Sequence, residues 1–335
     1  GNQIKNLYLL YKKTAKLLAI TDVSGTINDP NGLDLETLYE LFRQGKPIKY
    51  YPPEKLHENG FLLDRQAKRS ETAFAQQTLC WRKKQGVLQE EWLSGNDMNH
   101  LFKNNVHETK ADIFIPAGGR PRTLNEGNIK EFLDERGEPT AKAIIEGANL
   151  YLTPKARDIL QDKGCLIIKD SSANKTGVIC SSFEVLSGLT LGDELFLENK
   201  EKLVKEILER LKLCALKEAE LLLKTHRKKG IKLTEISNAI SVRINHFTYE
   251  ILDYLDPIAL PKDPNHPLNL NFFDYCLPIL REKYKDLLFS EIPEHHKKAV
   301  ISAHIAANLV YAKGLDWHPS VVDILPLLLN NQTKI

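Results

Sequence analysis

Four short stretches of this 335-residue chain join small residues to hydrogen-bonding side chains, each directly after a short apolar run. They are Asp22 closing LLAITD, Pro116-Ala117-Gly118-Gly119 after ADIFI, Glu146-Gly147-Ala148-Asn149 after AKAII, and Asp170-Ser171-Ser172-Ala173-Asn174 after CLII. Glycine and alanine let a ligand approach the main chain closely, and an asparagine amide donates and accepts at once. This is the chemistry of holding a ligand, not of attacking one.

Each residue also has a plainer reading. Asp22 at the end of the second strand of a dinucleotide-binding unit would accept from a ribose 2′-OH and repel a 2′-phosphate, which favours NAD over NADP. The same aspartate could simply start the turn before Ser24-Gly25. Asn149 and Asn174 fit ligand contacts or helix caps and turns. Ser181 and Ser182 fall in or near a helix, where a solvated or back-bonding hydroxyl is ordinary.

The elements that must carry these corners follow from periodicity. Residues 2–16 place Ile4, Leu7, Tyr8 and Tyr11 on one helical face; 17–22 read as a buried strand, 24–32 as turn and 33–42 as helix. Residues 46–110 are polar, contain Pro52-Pro53, and read as an insertion or small subdomain. Thereafter strands at 111–117, 141–147 and 165–170 alternate with helices at 124–135, 153–164 and from about 172 to 186, with Gly188 just past the last. Apolar strands alternating with helices imply an α/β, Rossmann-like, doubly wound parallel sheet, whose ligands bind beyond the carboxyl ends of the strands. All four corners then lie on one rim. From about residue 191 the pattern is helical only, with amphipathic segments at 199–230, 233–255 and 293–314. The expected domains are therefore 1–190, with the insertion at about 46–110, and an all-α region at 191–335.

Net charge is +2 with 27% charged residues, which argues against nucleic acid as a partner. Apolar runs such as those from Leu221 or Ile324 (ILPLLL) are too short to span a bilayer. Five scattered cysteines without a CxxC suit a reducing cytoplasm and no metal cluster; HExxH, G-x-S-x-G and the phosphate-binding loop with GK[ST] are all absent. The chain opens in a helix after Gly1, without the G-x-G-x-x-G that should follow a first strand, and the only methionine is Met98. The expectation is that the first strand and glycine loop are truncated.

The segments DVSGTINDPNGLD (22–34), DIFIPAGGRP (112–121), IIEGANLYLTPKARDIL (144–160) and DSSANKTGVICSSFEVL (170–186) resemble, in order and spacing, the cofactor-binding half of glutamate dehydrogenases, and most of all the large NAD-specific class. The resemblance is good over residues 1–195 and implies NAD as cofactor. It implies that Asp22 lies near the adenosine ribose, that Ala117, Gly118 and Gly119 form the small step under the cofactor, that Asn149 lies near the nicotinamide ribose and Asn174 on the nicotinamide side. It also implies that Ser181 helps hold the glutamate side-chain carboxylate. Lys175-Thr176 depart from the small pair of the smaller enzymes, and the insertion has no counterpart there.

By the same resemblance the reaction is NAD-dependent oxidative deamination of L-glutamate to 2-oxoglutarate and ammonia. Its proton-transferring lysine and aspartate belong to a domain upstream, so no catalytic residue falls in this chain and the piece alone should be inactive. A homo-oligomer is expected of the full-length enzyme. Two other readings stay open: a dehydrogenase of another amino acid on the same fold, and a non-catalytic regulatory or assembly module.

Overall fold

The computed structural model describes residues 1–72, 75–320 and 323–324; of the apolar run from Ile324, residues 325–329 lie outside the described residues. Two compact units divide the chain between Leu166 and Ile167.

The first unit opens with helix α1 (Asn2–Tyr11), hairpin strands β1 (Ala19–Asp22) and β2 (Gly25–Asn28), and helix α2 (Leu35–Arg43). Asp34 caps α2 by accepting from the Thr37 amide at 2.9 Å, which satisfies one orphan donor of the first turn. Strands β3 (Phe61–Thr72), β4 (Ala75–Lys84) and β5 (Val87–Leu93) follow, then helix α3 (Gly95–Glu108). The five strands form one antiparallel sheet in the order β1-β2-β3-β4-β5.

This corrects one expectation. The strand at 19–22 does not run in the parallel sheet. Asp22 pairs with Gly25 to close a two-residue hairpin, and β2 docks on β3 of the supposed insertion. A side chain at Gly25 would put its Cβ 1.9 Å from the Leu63 carbonyl oxygen, so only glycine allows that approach. Strands β3, β4 and β5 thus complete the sheet begun by β1 and β2, and Ile27 and Leu62 bury in its core with Ile4, Leu38 and Tyr51.

Strands β6 (Ala111–Phe114) and β7 (Ala141–Ile145) run parallel, with Ile113 beside Ala143. Strand β8 (Leu166–Ile168) completes a sheet of order β6-β7-β8, and the boundary between the units falls inside it. Among the described strands β6 and β8 end this sheet; Ile113 of β6 and Ile115 just beyond it are 55% and 47% exposed. The helix expected at 124–135 is only a short 3₁₀ turn at Ile129–Phe132. Side-chain amides take its place: Asn125 Oδ1 accepts from Gly127 N at 2.9 Å, and Asn128 bonds Asn125 N and the Thr123 carbonyl at 2.8 Å each. Such local bonds offer the main chain an alternative to helix. Helix α4 (Pro154–Asp162) forms as its sequence demands, with Thr153 capping the Ala156 amide at 3.2 Å and proline in the first turn. It buries Ala156 and Leu160, and Leu124, Ile144 and Leu152 of the same unit are buried as well, all at most 1% exposed.

The second unit is helical. Helices α5 (Asp170–Ala173) and α6 (Thr176–Glu198) follow β8; α6 runs through Gly188 and kinks at Gly192, whose φ of 62° is left-handed. The expected stop at Gly188 fails because the buried face continues from Leu186 to Leu191, with the Ser187 and Thr190 hydroxyls satisfied on the Phe183 and Leu186 carbonyls. Helix α7 (Lys200–Lys229) buries Leu203 and Ile207 and ends at Gly230 in the left-handed conformation. Helices α8 (Leu233–Leu255), α9 (Pro267–Tyr275), α10 (Pro278–Lys283), α11 (Lys285–Glu291) and α12 (Glu294–Lys313) complete it. Ile240, Phe247 and Ile251 of α8 join Ile301, Ile305 and Leu309 of α12 in one core. No helix among the described residues is long and apolar enough to cross a membrane, and no cluster of metal-ligating side chains occurs among them.

Candidate functional site

The carboxyl ends of β6 and β7 lie side by side, and the chains leaving them touch. The Ala148 amide donates to the Pro116 carbonyl at 2.7 Å. A Cβ on Gly147 would stand 3.4 Å from that same oxygen and 3.7 Å from Ala117 Cα, ordinary contact distances, so the two corners lie against each other with no room to spare. Ala117, Gly118, Gly119 and Asn149 are all exposed on the resulting step. A Cβ on Gly118 would meet nothing within 4 Å, which leaves main chain open to whatever lies above it. Gly119 is glycine for a different reason: its φ is +124°, and a Cβ would sit 2.9 Å from the Tyr151 ring.

The step is braced from below. Arg122 N donates to Leu150 O at 2.7 Å, and Leu124 N to Tyr151 O at 3.1 Å. Leu150 itself has φ of 56°, an uncommon conformation for a bulky residue, immediately after Asn149. The Tyr151 hydroxyl lies 2.9 Å from His107 Nε2 of α3, inside a ring cluster with Phe114 and Phe132. His107 is 1% exposed and its Nδ1 has no hydrogen-bond partner; burial alone pulls its pKa down to about 4, so it is neutral at pH 7. Burial likewise drives the Tyr151 phenol upward. Helix α3 belongs to the supposed insertion, so that segment supplies the support under the glycine step. Nothing in the sequence marked a lone histidine on a helix for this part.

Glu146 looks from its position like a group facing the step, but it is fully buried. Arg157 of α4 grips it with Nε at 2.8 Å and Nη2 at 2.6 Å, a bidentate pair that ties the end of β7 to the following helix. Among the other corners, Asp22 ends β1 of the antiparallel sheet. Its Oδ1 accepts from Ser24 N at 2.7 Å and Ser24 Oγ at 2.6 Å, and its Oδ2 from Ile48 N at 3.2 Å. A carboxylate has about four lone-pair sites, so two are used by the turn, one by Ile48, and one is left. Asn174 and Ser181 belong to the second unit: Asn174 is the half-buried cap between α5 and α6, and Ser181 is exposed on α6. The structure therefore brings together Ala117, Gly118, Gly119 and Asn149, and puts Asp22, Asn174 and Ser181 on other elements. A cleft of about 660 Å³ is lined by Tyr8 of α1, the start of α2 and the exposed Lys12, Lys13, Lys16 and Lys55, and by none of the step residues.

A parallel strand pair with a helix beyond it and a small-residue step at its end has the form of an α/β, Rossmann-like domain, and comparison narrows it. Residues 2–242 match the model of the Glutamate/Leucine/Phenylalanine/Valine dehydrogenase family, and the chain belongs to that family. It is 30% identical over 310 residues to the probable NAD-specific glutamate dehydrogenase of Schizosaccharomyces pombe, covering 88% of this chain and 26% of that protein. It is 29% identical over 337 residues to the NAD-specific glutamate dehydrogenase of Saccharomyces cerevisiae, covering 94% of this chain and 29% of that protein. A glutamate dehydrogenase of Thermotoga maritima is 26% identical over 187 residues, 56% of this chain and 32% of that protein. The chain thus spans less than a third of the length of these relatives.

Proposed function

We propose that this chain is the cofactor-binding portion of an NAD-dependent glutamate dehydrogenase. The observation that carries the reading is the junction of the β6 and β7 ends, where the Ala148–Pro116 bond leaves Ala117, Gly118, Gly119 and Asn149 exposed on one step. The family and the fungal relatives named NAD-specific glutamate dehydrogenase support it.

The residues suit the cofactor. Gly118 offers bare main chain with free space above it, and Asn149 offers an exposed amide beside it. Bound there, NAD supplies the hydride acceptor for the Cα of glutamate, and the iminium formed is hydrolysed to 2-oxoglutarate and ammonia. The chain's own residues bind and orient: Asn149 and Asn174 fix the nicotinamide half, Asp22 accepts from the adenosine ribose with its remaining lone pair, and Ser181 contacts the substrate carboxylate. The proton-transferring lysine and carboxylate belong to another part of the enzyme, and subunits associate in the whole protein. Five free cysteines suit a reducing cytoplasm.

Calorimetric titration with NAD and NADP tests the reading. NAD should bind, more tightly than NADP, and Asn149→Ala should weaken it by about twofold to tenfold, the worth of one net hydrogen bond. A wild-type chain that binds neither nucleotide, or an Asn149→Ala variant with unchanged affinity, would refute it.

A further inference from the structure

The segment that carries Asn174 is a single helical turn, in which Ser172 N and Ala173 N donate to Lys169 O at 3.0 and 2.9 Å. Helix α5 is four residues long, and its closing bonds are Asn174 N to Asp170 O at 2.9 Å and Gly177 N to Asn174 O at 3.1 Å. Side chains from the C-terminal helices tie this one turn down from outside. Lys169 Nζ donates to Asn238 Oδ1 of α8, and the Ser172 and Ser237 hydroxyls are 2.6 Å apart. Lys175 Nζ donates to Glu218 Oε2 of α7 at 2.5 Å. The same oxygen accepts from the Tyr311 hydroxyl of α12 at 2.8 Å.

Glu218 is 5% exposed, and its Oε1 has no hydrogen-bond partner. Packing does not call for such a residue. A buried carboxylate with half its acceptors idle costs desolvation that a leucine would avoid, and an ion pair of this kind is weak evidence of a stabilising role. What it does accomplish is geometric. It converts Lys175, next to Asn174, from a mobile surface cation into a strut anchored on two long helices.

We propose that Glu218, backed by Tyr311, is a positioning residue that clamps Lys175 and thereby fixes the Asn174 corner. The inference rests on the function proposed above, in which Asn174 serves the nicotinamide half of the cofactor. It makes helices α7 and α12 part of the binding machinery, and it assigns Lys175 to the protein's own framework and not to a phosphate of the ligand.

The test uses the full chain in two arms. In the first, hydrogen exchange of the 169–177 amides is compared between wild type and Glu218→Gln, and the variant should exchange faster there while α8 and α9 keep their protection. In the second, calorimetry compares NAD with ADP-ribose, which lacks the nicotinamide. Glu218→Gln should weaken NAD by about tenfold, the equivalent of a coupling of about 1.4 kcal/mol, and leave ADP-ribose within about twofold. Glu218→Asp, which keeps the charge, should recover part of the loss. Tyr311→Phe, which keeps the ring, should give the same pattern at smaller size and serves if Glu218→Gln does not fold. Unchanged exchange in Glu218→Gln, or equal weakening of NAD and ADP-ribose, overturns the clamp. If wild type binds neither ligand, the cofactor reading falls, and the exchange arm still decides the clamp.

Discussion

The Glu146–Arg157 pair gives the sharpest test of how the step is held. Glu146 is completely buried and the Arg157 side chain is 11% exposed, so neither charge has appreciable water to return to if its partner is removed. Removing one member of such a pair leaves a buried uncompensated charge, at a cost of about 3–5 kcal/mol. Glutamine at 146 keeps one acceptor for the guanidinium, which puts Glu146→Gln near the lower bound, at about 3 kcal/mol. For a unit of this size that corresponds to a fall of roughly 6–12 °C in melting temperature. Glu146→Leu combined with Arg157→Met removes both charges at similar volume and should cost far less than either single change. Urea and thermal unfolding of wild type, both singles and the double variant close the cycle. A Glu146→Gln variant within about 1 kcal/mol of wild type, or a double variant as unstable as the sum of the singles, would refute the claim that this pair locks β7 to α4.

Two further outcomes follow from buried groups. His107 titrates at about 4 in the folded chain against 6.5 when free, so its neutral form is the one that folding favours. Stability it supports is complete above pH 6.5 and is lost as pH falls towards 4, reaching about 3 kcal/mol. The stability difference between wild type and His107→Gln should therefore be flat above pH 6.5 and shift across that window; a difference that stays constant from pH 7 to 4 refutes the assignment. Burial raises the thiols of Cys80 to about 11 and Cys165 to about 12, and pushes the buried Cys276 up as well. At pH 8 a thiol reagent should label only the half-buried Cys180 and Cys214 in the native chain and all five cysteines in denaturant, and native labelling of Cys165 would contradict the packing described.

Some of this was legible in the residues alone. The Thr153-Pro154 start of α4, the strands β6, β7 and β8, and the left-handed end of α7 at Gly230 all use local signals that tertiary context did not override. The antiparallel sheet was missed because β4 and β5 are largely polar, and because β2 joins β3 across the helix and turns between Asn28 and Phe61. A signal did exist at Gln85-Gly86: the Lys84–Val87 pairing encloses this two-residue loop, whose φ values of 51° and 74° are those of a mirror-image turn. The helix expected at 124–135 failed through Asn125 and Asn128, whose amides outcompeted it. The small-residue step was visible as composition, while its supports were not. His107 and Tyr151 lie 44 residues apart, and Glu218 and Tyr311 lie 93 apart. No local pattern encodes contacts of that range.

Asp112 of β6 and Lys142 of β7 stand across the parallel pair at 2.7 Å, each more than four-fifths exposed. So open a pair adds little to stability, and salt screens it further. The register of the two strands therefore rests on their main-chain ladder and on the buried Ala141 and Ile144, and a salt titration should leave it unmoved.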